Sequence, residues 1–289
     1  MLSILIPTYN YNVSPLVKDL HDMAVLENIA FEIIVLDDAS ANVFSSETTL
    51  ENVTYLKNEK NLGRTLTRKK LAETALYENI LFLDADVIPV SNDFIARYIF
   101  EMQKDFQVVL GGYAYEKTKP ERKNILRYKY GKEREERSAS IRNLNPYGFI
   151  FSGNILIKKR IFLENNYSDA LNLYGMDIFF AYKLYTNNVK VNHIDNPIYH
   201  LGLEANEVFF KKCLESVVSR KKFLENEQGI EKVNGLLRHY KKLKKYSLTG
   251  LVSIGFKLTG PFLKKMIFKK DPSLFCLDIY RLGYICAIK

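Results

Sequence analysis

Asp84 and Asp86 stand two residues apart, directly after the apolar run Leu81-Phe82-Leu83 and just ahead of Val87, Ile88 and Pro89. Side chains at i and i+2 of an extended segment point the same way. Two carboxylates on one side repel unless a cation lies near them, and hard divalent cations prefer oxygen ligands. The pair is therefore a candidate metal site. The other reading of so short a motif is a solvated acidic turn after a strand. Two more carboxylates, Asp37 and Asp38, close a second apolar run, and Pro7-Thr8-Tyr9-Asn10 closes a first. The chain has no Gly-x-Gly-x-x-Gly after its first strand and no Gly-x-x-x-x-Gly-Lys-[Ser/Thr]. A dinucleotide fold of the usual kind and a P-loop are thus disfavoured. Phosphates would instead meet a metal on Asp86 and guanidinium groups such as Arg64 or Arg68, since arginine pairs well with phosphate oxygens.

The elements that position these residues read as alternating strands and helices. Residues 2–6, 31–36, 54–56, 80–83 and 107–110 are short apolar runs that read as strands. Residues 80–83 are apolar without alternation, which predicts a strand buried on both faces. Proline cannot continue a central strand, so the first strand should stop at Pro7, and the chain should leave the sheet at Pro89. Ser14-Pro15 predicts a helix start with Ser14 as its cap, running to about Glu27. Further helices are predicted over residues 64–76 and 92–103. This alternation predicts an α/β fold with a mainly parallel sheet and right-handed crossovers. In such sheets ligands bind beyond the carboxyl ends of the strands, where the polar and acidic loops after residues 6, 36 and 83 converge. Residues 116–142 are densely charged and read as a mobile surface segment or an exposed helix. A late strand over 189–194 and helices over 206–226 and 230–246 complete the pattern.

Composition sets broad limits. The chain has 289 residues, 47% of them hydrophobic, enough for a sizeable core. Its three cysteines, Cys213, Cys276 and Cys286, form no Cys-x-x-Cys, so neither a disulfide framework nor a zinc knuckle is indicated, and a reducing cytosolic setting fits. The start of the chain lacks the basic and long apolar regions of a secretory signal. The net charge of +9 is uneven: residues 211–289 hold 18 Lys and Arg against 6 Asp and Glu, whereas the first 210 hold 24 against 27.

Four segments in register resemble those of family 2 glycosyltransferases of the GT-A fold, a Rossmann-like, mainly parallel sheet flanked by helices. They are Ile6-Pro7-Thr8-Tyr9-Asn10, Val35-Leu36-Asp37-Asp38-Ala39-Ser40, Asn61-Leu62-Gly63 with Arg68, and Phe82-Leu83-Asp84-Ala85-Asp86. The likeness runs from Leu2 to about Leu201. It implies an inverting, nucleotide-sugar-dependent transferase, with a UDP-linked donor expected, and a glycan or lipid-linked acceptor in cell-surface polysaccharide synthesis. On the donor side, Pro7 and Tyr9 would bracket the nucleobase, with Tyr9 stacking. Asp38 would accept a hydrogen bond from the base, unless it caps a helix, and Asp37 would share that contact or cap the turn. Arg68 would approach the base or diphosphate, and Asp84 would hold the ribose hydroxyls, with Ala85 beside it. Asp86 would bind Mg²⁺ or Mn²⁺ bridging the diphosphate, and His200 would complete the metal shell or meet the diphosphate, unless it is structural.

The general base would be Asp177, in Gly175-Met176-Asp177; Met176 stands where the family often has a glutamate. The other reading of Asp177 is an acidic residue stabilised at a helix N-terminus. Gly153 and Asn154 would line the acceptor side, or form a turn or bulge. A non-catalytic scaffold of the same fold and a nucleotidyltransferase are the competing readings. A nucleotidyltransferase would want a first loop rich in glycine and basic residues, which Pro7-Thr8-Tyr9-Asn10 is not.

The domain expectation is a catalytic domain over residues 1–205 and a basic helical extension over 206–289. The longest uncharged run of the tail, residues 246–256, is too short for the roughly 20 residues that span a bilayer. Its interleaved lysines and apolar residues fit an interfacial segment drawn to anionic lipid at the inner face of the cytoplasmic membrane. A packed helical appendage with a solvated basic face is the alternative. No RNA-recognition motif is present, so nucleic acid is not expected as a partner; the sequence does not set an oligomeric state.

Overall fold

The structure is a computed structural model, and it describes residues 1–41, 50–118, 120–167 and 174–288. In the first part of the chain, strands alternate with helices: β1 (Leu2–Thr8), α1 (Ser14–Leu26), β2 (Phe31–Asp37), β3 (Val53–Lys57), α2 (Arg64–Thr74) and β4 (Asn79–Leu83). Then come β5 (Val87–Pro89), α3 (Phe94–Met102), β6 (Val108–Leu110), β7 (Tyr113–Ala114), α4 (Ile125–Tyr130) and α5 (Ala139–Asn143). β8 (Asn154–Lys158), α6 (Lys159–Asn165), α7 (Asp177–Thr186), β9 (Val191–His193) and β10 (Ile198–His200) follow. The chain ends in helices: α8 (Asn206–Leu224), α9 (Ile230–Val233), α10 (Gly235–Lys245), α11 (Thr249–Ile267) and α12 (Leu274–Ala287).

Seven strands form one sheet in the order β3-β2-β1-β4-β8-β6-β9. β1 pairs in parallel with β2 and β4, β2 with β3, and β6 with β9, whereas β8 runs antiparallel to both its neighbours. The sheet is therefore mainly parallel with one reversed strand, the α/β architecture expected. Ile4, Leu5, Ile6, Ile80, Leu81, Phe82 and Leu83 are fully buried, as a strand covered on both faces requires. A second sheet of three strands, in the order β5-β10-β7, was not anticipated.

Both prolines sit in strands, for a reason the register makes plain. β1 continues through Pro7 to Thr8, pairing Pro7 with Leu36 of β2. Its pairing with β4 extends only over Ser3, Ile4 and Leu5. Beyond Leu5, β1 is an edge on that side, where a missing N–H is tolerated. Pro89 likewise ends β5, an edge strand of the small sheet. The cap of α1 also differs from expectation. Ser14 is the first helical residue and makes no side-chain cap. The Oδ1 of Asn12 accepts the Ser14 N–H at 3.0 Å instead.

The chain divides into two compact units. The first comprises Met1–Ala114, Arg137–Asn172 and Lys183–Gly202 and contains both sheets. The second comprises Tyr115–Glu136, Leu173–Tyr182 and Leu203–Lys289, so the C-terminal helices are joined by two segments from earlier in the chain. Its core includes Leu126, Phe209, Phe210, Ile267, Leu274 and Leu277. The charged stretch 116–142 is thus not a solvated surface segment. Leu126 is fully buried, and Arg127 is buried against Glu135 at 3.0 Å. In the first unit, buried Arg142 donates to the carbonyls of Leu110, Gly111, Ile194 and Arg137 at 2.7–3.2 Å. Arginine's five donors suit it to this task, because each buried carbonyl needs a partner.

Candidate active site

β4 leaves the large sheet at Leu83 and β5 joins the small one at Val87, so Asp84, Ala85 and Asp86 form the turn between the two sheets. The Asp84 N–H donates to the Gly153 carbonyl at 3.2 Å. Its Oδ1 accepts a short hydrogen bond from Arg68 Nη2, and its Oδ2 lies 3.4 Å from the Tyr113 hydroxyl. A Cβ on Gly153 would overlap both Asp84 Oδ2 and that hydroxyl, so this close approach requires glycine. The Asp86 carbonyl accepts the Leu201 N–H at 2.8 Å, and its Oδ2 lies 3.8 Å from His200 Nε2. A Cβ on Gly202 would overlap Asp86 Oδ2. Tyr113 meets the His200 ring edge-on at 5.7 Å.

Neighbouring in sequence, the two carboxylates differ in acidity. Burial pushes Asp84 up, but Arg68, Arg64, His200 and the Tyr113 hydroxyl outweigh it, and the group is held below the usual carboxylate range. Burial also pushes Asp86 up; His200 opposes this and the Asp84 charge adds to it, so the group lies above its usual range. Among the described residues no guanidinium is bonded to Asp86 as Arg68 is to Asp84, so a cation would favour its ionised form most. One carboxylate and one imidazole make a small donor set, and no group of three His, Cys, Asp or Glu fit for a metal occurs among the described residues. Mg²⁺ is commonly held by one or two carboxylates plus substrate phosphates, so Asp86 with His200 fits an ion whose remaining ligands come from a diphosphate and water.

The loops after β1 and β2 are locked to one another. Ser40 Oγ accepts the Asn10 N–H at 2.6 Å and donates a short hydrogen bond to Asp37 Oδ1, which also accepts the Ser40 N–H at 3.0 Å. Asn10 and Ala39 adopt left-handed φ values of 51° and 63° at these strand ends. For alanine that conformation is costly and marks a constrained turn. Asp38 is only 5% exposed. Its Oδ1 accepts from Asn58 Nδ2 at 2.9 Å and from the Leu62 N–H at 2.8 Å, and its Oδ2 accepts from the Gly63 N–H at 2.8 Å. Asp38 therefore secures the turn into α2, the helix that carries Arg64 and Arg68. Tyr9 is 54% exposed, and Pro7 precedes it near the end of β1.

Asp84, Asp86, Arg68, His200 and Gly153 thus come together in the first unit. Asn154 lies beside them in sequence but offers little to an acceptor. It is 1% exposed, accepts from the Tyr98 hydroxyl at 2.6 Å and donates to the carbonyls of Gly112 and Asn196 at 2.9 and 3.0 Å. Its amide is consumed in tying strands together. Asp177 opens α7 in the second unit and is half-buried. Gly175, at a left-handed φ of 92°, packs against Ser216 of α8 and sets the turn that precedes it.

Three residues at the site carried no readable signal in sequence. Tyr113 and Gly202 reach Asp84 and Asp86 through the small sheet, whose pairing links residues far apart in the chain. Tyr11 is the third; burial and then the Asp86 charge hold its phenol above the usual range. Only its closeness to Tyr9 could have pointed to it.

The profile of glycosyl transferase family 2 matches residues 3–164, more than half of the chain. Over 89 residues the chain is 32% identical to glycogenin-2 of Saccharomyces cerevisiae, a match covering 30% of this chain and 23% of that protein. The mannosyltransferase PcManGT of Pyrobaculum calidifontis, solved with GDP-Man and Mn²⁺, has a similar fold: TM-score 0.61, 13% identity, 98% of this chain and 85% of that one. Residues 1–349 of S. aureus TarS, solved with UDP-GlcNAc, align with TM-score 0.51 and 16% identity over 98% of this chain and 90% of that one. Against a longer TarS chain the match spans 41% of that protein's length. The family profile covers the strand-end loops that carry Tyr9, Asp38, Asp84 and Asp86 and the helix that carries Arg68, and by that match the chain belongs to glycosyl transferase family 2.

Proposed function

We propose that the protein moves a sugar from a nucleoside-diphosphate donor, UDP-linked by expectation, to a hydroxyl of a glycan or lipid-linked acceptor in cell-surface polysaccharide synthesis, with inversion at the anomeric carbon. The observation that carries this reading is the contrast within the Asp84–Asp86 pair. One carboxylate is neutralised by Arg68; the other is half-buried beside His200 with its acidity weakened. Such a split assigns two carboxylates different tasks. PcManGT was solved with GDP-Man and TarS with UDP-GlcNAc, and both ligands are nucleoside-diphosphate sugars, which supports that donor class here.

In this reading Asp84, held rigid by Arg68 and Tyr113, orients the ribose hydroxyls. Tyr9 offers its exposed ring to the nucleobase beside Pro7. Asp38 keeps one lone pair on Oδ2 for a base N–H while fixing the turn into α2, and Asp37 braces the neighbouring loop. Arg64 and Arg68 bring positive charge toward the diphosphate. Asp86 and His200 would hold the Mg²⁺ or Mn²⁺ ion, which supplies charge stabilisation to the departing nucleoside diphosphate. A positioned carboxylate must take the proton of the attacking hydroxyl, and the family resemblance gives that task to Asp177. With Met176 buried in place of a second acid, Asp177 is the sole candidate in its turn. Gly153, which admits no side chain beside Asp84, lets the backbone approach that carboxylate closely, and the family resemblance puts it on the acceptor side.

Replacing Asp177 with Asn tests the assignment. Sugar transfer from a nucleotide sugar should fall by at least a hundredfold, the low end of what general-base catalysis contributes, while donor affinity stays at the wild-type value. Transfer at the wild-type rate would remove Asp177 from the role.

A further inference from the structure

The second unit carries an apolar stripe that the described residues leave exposed. α11 is apolar on two sides. On one, Phe256 packs into the space left by Gly283 of α12 and meets Tyr280 edge-on at 4.8 Å, and Gly260 and Ile267 are buried. On the other, Leu251, Ile254, Leu258 and Phe262 are 68, 60, 79 and 63% exposed. Their spacings of three, four and four residues place them on one helical face, a stripe of roughly 16 Å at 1.5 Å per residue. Single exposed apolar residues are ordinary, but four large ones in a row on one face mark an interaction surface.

The charge around the stripe identifies what it meets. From Arg238 to Lys270 the chain has ten Lys or Arg and no Asp or Glu. Lys257, Lys264 and Lys265 lie on α11 itself, and all three are exposed. A second copy of the chain would bring the same positive charge to the contact and be repelled. A nucleic acid would gain little from three aliphatic side chains and one ring, since bases are gripped by successive aromatic stacking. An anionic bilayer satisfies both features, because apolar side chains enter the acyl boundary while lysines reach headgroup phosphates. Among the described residues no helix is long and apolar enough to cross a membrane, so the contact lies in the plane of the surface.

We infer that α11 docks the protein on the surface of a bilayer containing anionic phospholipid, with Leu251, Ile254, Leu258 and Phe262 inserted and the flanking lysines paired with headgroups. This inference is independent of the glycosyl-transfer reading, since membrane binding is measured without any sugar. The test is flotation of the full chain with phosphatidylcholine vesicles, with and without phosphatidylglycerol.

Binding should require phosphatidylglycerol and weaken with salt. Leu258→Glu or Phe262→Glu should each reduce the partition coefficient about tenfold or more. Lys265→Glu should reduce it about fivefold or more. Because these side chains are exposed, thermal melting of the variants should match wild type, which separates lost binding from lost folding. Failure to float with phosphatidylglycerol vesicles, or undiminished binding by Leu258→Glu, would overturn the inference. So would a concentration-dependent dimer, seen by sedimentation without vesicle binding, that Leu258→Glu abolishes.

Discussion

Acidification from pH 7 to pH 4 should destabilise the protein measurably through one buried imidazole, His193 at the end of β9. Its Nδ1 lies 2.9 Å from Arg142 Nη1, and its Nε2 lies 2.9 Å from the Pro146 carbonyl. A guanidinium only donates and a carbonyl only accepts. The imidazole must therefore be neutral, with its proton on Nε2 and its Nδ1 lone pair receiving Arg142. Protonating Nδ1 would set two N–H groups against each other in a buried site. Burial pushes the His193 pKa down to about 4; the Pro146 hydrogen bond opposes this and the Arg142 charge reinforces it.

The ordinary value in an unfolded chain is about 6.5. Between these values the unfolded state binds a proton that the folded state refuses, so stability is full above about 6.5 and declines as the pH falls toward 4. At 1.36 kcal/mol for each tenfold change in proton affinity, the loss reaches about 3 kcal/mol by pH 4. Urea unfolding of wild type and His193→Gln across this range isolates the effect, because the carboxylates titrate in both proteins. Wild type should lose about 3 kcal/mol more than the variant over the interval. Parallel stability curves would refute the assigned protonation state.

Further outcomes follow from other contacts. Arg68→Met leaves Asp84 without its guanidinium in a partly enclosed site; unfolding stability should drop by about 3–5 kcal/mol, and donor binding should weaken with it. Gly202→Ala forces Asp86 Oδ2 from its position; donor affinity in the presence of Mn²⁺ should fall about tenfold or more by titration calorimetry, with circular-dichroism melting little changed. Asp38→Ala orphans the N–H groups of Leu62 and Gly63, and a denaturant titration should register a loss of about 1–3 kcal/mol.

Much of this arrangement was legible in the residues. The apolar runs before Asp38 and Asp84 gave strands of the right type and nearly the right bounds, because a strand buried on both faces leaves an uninterrupted hydrophobic signature. Asp37 and Asp38 stand at the carboxyl end of β2 and Asp84 and Asp86 at that of β4, as those runs predicted. The reversed direction of β8 was not legible, since its apolar sequence is the same whichever way it runs. Pro7 misled because a proline's tolerance depends on where the neighbouring strand stops, a tertiary fact. The stretch 116–142 misled because charge density was read as exposure, whereas Arg127 and Arg142 spend their charges on buried partners. Asn154 looked like a site residue by its place after Ser152-Gly153, yet its amide is committed to Tyr98, Gly112 and Asn196. Conversely, Tyr113 and Gly202 reach Asp84 and Asp86 through the pairing of β10 with β5 and β7, which no local pattern encodes.

The central claim is that the Asp84–Asp86 turn binds a nucleoside-diphosphate sugar together with a divalent ion. The direct measurement is the melting temperature of the full chain with a panel of UDP- and GDP-linked sugars, with Mn²⁺ and with a chelator, for wild type and Asp86→Asn. A ligand that binds only the folded state at 100 times its dissociation constant adds about 2.7 kcal/mol of stability. The account predicts that at least one donor raises the wild-type melting temperature with Mn²⁺, that chelation abolishes the rise, and that Asp86→Asn shows none. A donor shift that is the same with chelator, or one that survives intact in Asp86→Asn, would contradict it.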